Sequence, residues 1–106
     1  MNKEISVQEA AILKDNSTNV LFLDVREDSE LEICRIDGAA HIPMGMVPSN
    51  LERLPRDKEL IVFCHHGMRS AQVVEYLQAN GYELATNLAG GIHAWAMEID
   101  ESLAKY

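Results

Sequence analysis

The sequence predicts an α/β fold with a mainly parallel central sheet and helices on both faces, and three observations carry that reading. Leu60-Ile61-Val62-Phe63 is an uninterrupted apolar run rich in β-branched and aromatic side chains, as expected of a strand buried on both faces. From Ser70 to Asn80 the period changes: Ala71, Val73, Val74 and Leu77 fall at the three-and-four spacing of a helix stripe, and Gly81 supplies a left-handed stop. Strand and helix patterns alternate along the rest of the chain, which implies right-handed parallel crossovers. With 106 residues, 47% apolar and 25% charged, the chain reads as one globular domain over 1–106, large enough to bury roughly two-thirds of its unfolded surface.

Each element has its own local signal. Ser6-Val7-Gln8-Glu9 is a capping box that starts a helix at about Val7. The turn formers Asp15 to Asn19 end it. Val20 to Val25 is the first clear strand, Glu27 to Cys34 holds a helical turn or two, and Ala40 to Ile42 pairs as a small strand. Pro43, Gly45 and Pro48 interrupt the next stretch, and Ser49 to Leu54 makes a brief helix before the turn Pro55-Arg56-Asp57. After the strand and helix already named, Leu84 to Leu88 is a weaker strand, Gly90-Gly91 a tight turn, and Ile92 to Met97 a helix with Trp95 in the core, followed by a polar tail to Tyr106.

The chemistry concentrates between the apolar run and the long helix, in Cys64-His65-His66-Gly67-Met68-Arg69-Ser70. A thiol before the first turn of a helix faces unpaired N–H groups and the positive end of the helix dipole, which favour an anion there. Such thiols ionise below their unperturbed pKa of about 8.5, more so near arginine. Gly67 lets the loop curl so that successive N–H groups converge above the sulfur. In parallel sheets ligands bind beyond the carboxyl ends of the strands, the rim that Cys64 shares with Asp24 and Arg26.

Cys-x-x-Gly-x-Arg-Ser after a buried strand resembles the active-site loop of the rhodanese-like sulfurtransferase family. Three further segments agree in order: Leu23-Asp24-Val25-Arg26-Glu27, Gly38-Ala39-Ala40-His41-Ile42-Pro43, and Leu88-Ala89-Gly90-Gly91-Ile92-His93-Ala94-Trp95. The resemblance, from about Ile5 to Trp95, implies a single rhodanese-like domain with about four to five strands. It implies a Cys64 nucleophile that takes a sulfane sulfur from a small anionic donor such as thiosulfate, and passes it to a thiol or protein acceptor. His65, His66, Gly67, Met68 and Arg69 are then the substrate-binding loop. No cofactor is expected.

Several readings compete at individual residues. A buried structural thiol at Cys64 is disfavoured by the strand end and by the glycine and arginine after it. Arg69 either contacts the donor's oxygens or folds back onto an acid such as Glu27 or Asp24. Asp24 and Arg26 are expected as a structural pair at the rim. His65 and His66 line the pocket mouth; no metal site is expected, because adjacent side chains in a tight loop point apart and no second Cys/His pair lies at metal spacing. His41 and His93 read as satisfied rim or surface residues, and Cys34 as a packed thiol. Two histidines after the cysteine, where Lys or Arg would favour a doubly negative donor, depart from a thiosulfate specialist. Cys34-Arg35-Ile36, where the family often has Gly-His-Ile, is a second departure.

Three function classes are open: a sulfurtransferase, phosphatase or arsenate-reductase chemistry, and a non-catalytic partner-binding module. Cys64 to Arg69 spans six residues, one short of the phosphatase Cys-x5-Arg loop, and the intact Cys64, Gly67 and Arg69 speak against an inert module. Nine basic against seventeen acidic side chains, a net charge of -8, argue against nucleic acid and anionic membranes as partners. Two cysteines make no disulfide framework, and no apolar leader opens the chain, so a reducing, cytoplasmic setting is expected; a chain whose leader had been removed reads the same.

Overall fold

A computed structural model describes residues 3–106, and its centre is a five-stranded, wholly parallel sheet in the order β1-β5-β4-β2-β3. The strands are β1 (Glu4–Ile5), β2 (Val20–Asp24), β3 (Ala40–His41), β4 (Glu59–Phe63) and β5 (Ala85–Leu88). The helices are α1 (Val7–Asn16), α2 (Asp28–Leu31), α3 (Met68–Ala79) and α4 (Gly91–Glu98). The α/β expectation is met. The two-residue β1 was not expected, because two residues show no periodicity.

β4 shows why an unbroken apolar run is needed at the centre. Leu60 and Val62 point into a core with Val73, Val74 and Leu77 of α3, while Ile61 and Phe63 point into the opposite core with Ile92 and Trp95 of α4 and Val7 and Ala10 of α1. β2 alternates in the same way, with Leu23 on the α3 side and Phe22 against Trp95, ring centroids 5.6 Å apart. Trp95 and Cys34 are core residues, as expected.

Element ends moved for physical reasons. α1 starts at Val7 as expected, with the Ser6 hydroxyl accepting from the Glu9 amide at 3.1 Å. α3 starts at Met68, two residues before the expected Ser70. Its buried stripe is Ser70, Val73, Val74 and Leu77, with Ala71 exposed, so a serine takes the position expected for alanine. The segment expected as a brief helix from Ser49 to Leu54 is instead a 3-10 stretch, Pro48–Arg53, with Asn50 off helical dihedrals at φ -122° and ψ 15°, and a separate 3-10 turn, Met44–Met46, precedes it. Gly90-Gly91 opens α4 rather than making a free-standing turn.

Candidate active site

Cys64 comes directly after β4 and is 1% exposed. Gly67, at φ +108°, caps α3 and turns its amide back onto the cysteine. The Gly67 N–H donates to Cys64 Sγ at 3.1 Å and the Ser70 N–H at 3.4 Å, and the Ser70 hydroxyl lies 3.4 Å from the same sulfur. Burial works against ionisation of this thiol. The Ser70 hydroxyl and the amides of Ser70, Gly67 and Arg69 outweigh it, and the Cys64 pKa ends below its ordinary value.

β5 and α4 hold the loop from behind. Asn87 on β5 is buried, donates from Nδ2 to the Gly67 carbonyl at 3.1 Å and accepts the Ser70 hydroxyl at 2.5 Å. The first free amides of α4 close the other side: Ile92 N–H donates to the Cys64 carbonyl at 2.9 Å and His93 N–H to the His65 carbonyl at 3.0 Å. Gly91 lies so close that a Cβ there would meet the His65 and Cys64 carbonyl oxygens at 2.4 and 2.6 Å.

Arg69 folds back onto an acid, and the acid is Glu30. The bidentate pair has contacts of 2.6 and 2.9 Å, which corrects the expected partners Glu27 and Asp24. Glu30 is one turn along α2 from Glu27, whose amide donates to the Glu30 carboxylate at 3.1 Å. The bonds from Arg69 hold the Glu30 carboxyl at about 2 against the opposing effect of burial, with help from Tyr106 and the Glu27 amide. Arg69 in turn stays charged above its ordinary range, chiefly through Glu30.

Asp24 and Arg26 do pair, at 2.7 Å, but both are buried rather than placed on an exposed rim. Burial disfavours the Arg26 charge; Asp24 and Tyr106 outweigh it and keep the guanidinium charged. Arg26 also donates to the Cys34 carbonyl at 2.8 Å and to the Tyr106 hydroxyl at 2.8 Å. Tyr106, unweighed in the sequence beyond its place in a polar tail, donates to Glu30 at 2.7 Å and stacks on His65 at 3.7 Å with the rings 3° from parallel. Burial, ahead of its hydrogen bonds, pushes its phenol up to about 12.

The histidines differ from expectation. His65 and His66 do not point apart: their ring centroids are 4.0 Å apart, and His93 of α4 comes within 4.8 Å of His66. His93 is not a satisfied rim residue, since its buried Nδ1 has no hydrogen-bond partner among the described residues. His41 is satisfied, its Nε2 lying 2.6 Å from the Arg26 carbonyl. Met68 is 79% exposed at the start of α3.

A cysteine cradled by helix-terminal amides at the end of the central strand of a parallel sheet defines an anion-stabilising thiol site. The chain belongs to the rhodanese-like domain family, whose model matches residues 6–98. It is 38% identical to the putative sulfurtransferase YtwF of Bacillus subtilis, over 91% of this chain and 92% of that protein. It is 33% identical to a sulfurtransferase of Allochromatium vinosum, over 91% and 90%. The structure of a rhodanese-like domain protein from Staphylococcus aureus superposes with a TM-score of 0.84 at 39% identity, covering 98% of both chains. These likenesses support a sulfurtransferase role. The same stretch also matches parts of longer proteins, among them 18% of a Bacillus anthracis CoADR-RHD chain at 27% identity and a TM-score of 0.85.

Proposed function

We propose that the protein is a sulfurtransferase that carries a sulfane sulfur as a persulfide on Cys64. The Cys64 thiolate attacks the outer sulfur of a donor; the new S–S bond forms on Cys64 as the donor's own bond to that sulfur breaks and the leaving group departs with the electron pair, sulfite in the case of thiosulfate. An acceptor thiolate then attacks the outer persulfide sulfur, and Cys64 leaves as thiolate. The observation that carries this reading is the pair of Gly67 and Ser70 amides on Sγ at 3.1 and 3.4 Å, which stabilise that thiolate both as nucleophile and as leaving group.

His65, His66, Gly67, Met68 and Arg69 form the substrate-binding loop in this proposal, with Arg69 acting through Glu30 to hold the loop's shape. Thiosulfate is one donor class, supported by the name of a relative 31% identical over 86% of this chain, the thiosulfate sulfurtransferase GlpE of Tolumonas auensis. A persulfide donor is the second, favoured by the engagement of Arg69 with Glu30, which leaves the loop without a free guanidinium for a dianion. The exposed Met68 offers apolar contact to a thiol or protein acceptor, and a relative named a putative sulfur carrier protein, YrkF of Bacillus subtilis, supports a relay of this kind. Among the described residues no helix is long and apolar enough to cross a membrane, and a reducing cytoplasm suits two free thiols.

Intact mass after incubation of reduced protein with excess thiosulfate tests the proposal, with Cys64→Ser and Cys34→Ser alongside. A gain of about 32 Da that dithiothreitol removes and that Cys64→Ser alone abolishes is expected. If thiosulfate fails and a low-molecular-weight persulfide loads Cys64, the donor is a persulfide. If neither loads, the catalytic reading falls and a partner-binding module replaces it.

A further inference from the structure

We propose that His65, His66 and His93 form a binding site for a divalent transition metal of the zinc class beside the cysteine loop. One ring nitrogen from each of the three lies within 4.8 Å of the others. Two of the three rings carry a buried nitrogen with no hydrogen-bond partner among the described residues, His65 Nε2 and His93 Nδ1. An orphaned buried polar atom is costly, because it has given up its water without gaining a partner, and a cluster of imidazoles with two of them is more readily explained by a ligand than by packing. The inference does not rest on the sulfur-transfer reading.

The donor set and its framework suit a metal. Neutral imidazole is a good ligand for zinc, nickel and copper, and three of them leave a position open in a tetrahedral shell. His65 and His93 come from two elements already locked together, since the His93 amide donates to the His65 carbonyl at 3.0 Å and the Ile92 amide to the Cys64 carbonyl at 2.9 Å. Tyr106 covers one face of His65 and limits its rotation. His66 is exposed, so it is free to make the adjustment that remains. Metal–nitrogen bonds of about 2.0–2.1 Å in a tetrahedral site bring the nitrogens to about 3.3 Å from one another, closer than they now lie. Cys64 Sγ is turned into the amide cradle and is not one of the grouped ligand atoms.

The test is a zinc titration of the chelator-stripped protein, kept reduced with a phosphine, in competition with a chromophoric zinc chelator. One equivalent is expected to bind. His66→Gln and His93→Gln are each expected to weaken binding at least about tenfold, since losing even an outer-shell partner of a metal ligand costs about 10–100-fold. Cys64→Ser and Cys34→Ser are expected to bind zinc as the parent does. The absence of a saturable single site, equal binding by the histidine variants, or loss of binding in Cys64→Ser would each overturn the proposal. Circular dichroism checks the fold of each variant, and if His93→Gln does not fold, exposed His66→Gln decides the matter alone.

Discussion

Gly91→Ala is expected to be the most damaging single-methyl change at the site. A Cβ at Gly91 would sit 2.4 Å from the His65 carbonyl oxygen, 2.6 Å from that of Cys64 and 2.7 Å from the His65 carbonyl carbon, all backbone atoms of the cysteine loop. The residue also has φ +63°, a conformation that costs an L-residue about 1–2 kcal/mol. Relief of the clash requires α4 to move off the loop, stretching the Ile92 and His93 hydrogen bonds at about 1 kcal/mol each and loosening Ile92 and Trp95 in the core. The total is about 3–5 kcal/mol, a large part of a typical stability of about 5–15 kcal/mol. Gly67→Ala provides the control. Its φ is +108°, but its Cβ would meet nothing nearer than 3.6 Å, so only the backbone strain of about 1–2 kcal/mol applies. Urea unfolding of both variants measures the difference, and thermal unfolding should show Gly91→Ala lower than the parent by more than about 10 °C. A Gly91→Ala midpoint equal to that of Gly67→Ala would refute the close-approach argument.

Other outcomes rest on the same contacts. Glu30→Gln should cost ~1 kcal/mol at pH 7, since Arg69 is partly solvated and the pair is screened. Because the folded carboxyl is held at about 2 against its ordinary 4.5, that contribution is complete above pH 4.5 and lost as the pH falls towards 2. Urea midpoints of the two proteins should therefore converge across that window; a constant gap would contradict the assignment. Ser70→Ala should raise the Cys64 titration midpoint only slightly, because the single Ser70 proton is shared with Asn87 Oδ1 at 2.5 Å. Alkylation rate against pH in a Cys34→Ser background measures this, and a larger rise would mean that the hydroxyl rather than the amides governs the thiolate. Asn87→Ala should destabilise by about 1–3 kcal/mol, removing the side-chain donor to the Gly67 carbonyl and leaving the Ser70 hydroxyl with Cys64 Sγ alone. It should also slow sulfur loading; unchanged loading and stability would show that β5 does not support the loop.

The central strand and its cysteine loop were legible in the sequence because their signals are local. An apolar run, a cysteine, a glycine and a helix stripe lie within twenty residues, and the family resemblance agreed with them. What was missed depends on which side chains meet across elements. Glu27 and Glu30 are chemically equivalent and one helical turn apart, so only the orientation of α2 selects Glu30 for Arg69. Ser70 looked like a helix start, although the spacing of Val73, Val74 and Leu77 already placed it on the buried stripe. His93 carries no pattern that links it to His65; the link is the docking of α4 on the loop. Tyr106 ends a polar tail, and its stacking on His65 and bonds to Glu30 and Arg26 arise from long-range folding. The expectation that His65 and His66 diverge failed because backbone turning within the loop outweighs simple alternation of side chains.

The place of β4 in the sheet has a consequence for the protein's fluctuations. Two strands flank it on each side, β5 and β1 one way and β2 and β3 the other, and both outermost strands are only two residues long. Spontaneous opening starts at such margins, where the fewest contacts must be broken. Either outer strand can therefore detach while the root of the cysteine loop keeps its ladders to β2 and β5. In hydrogen exchange, the amides of Ile61 to Phe63 should be among the last to exchange, and those of Ile5 and Ala40 among the first. Breathing at the edges is thereby separated from the geometry around Cys64.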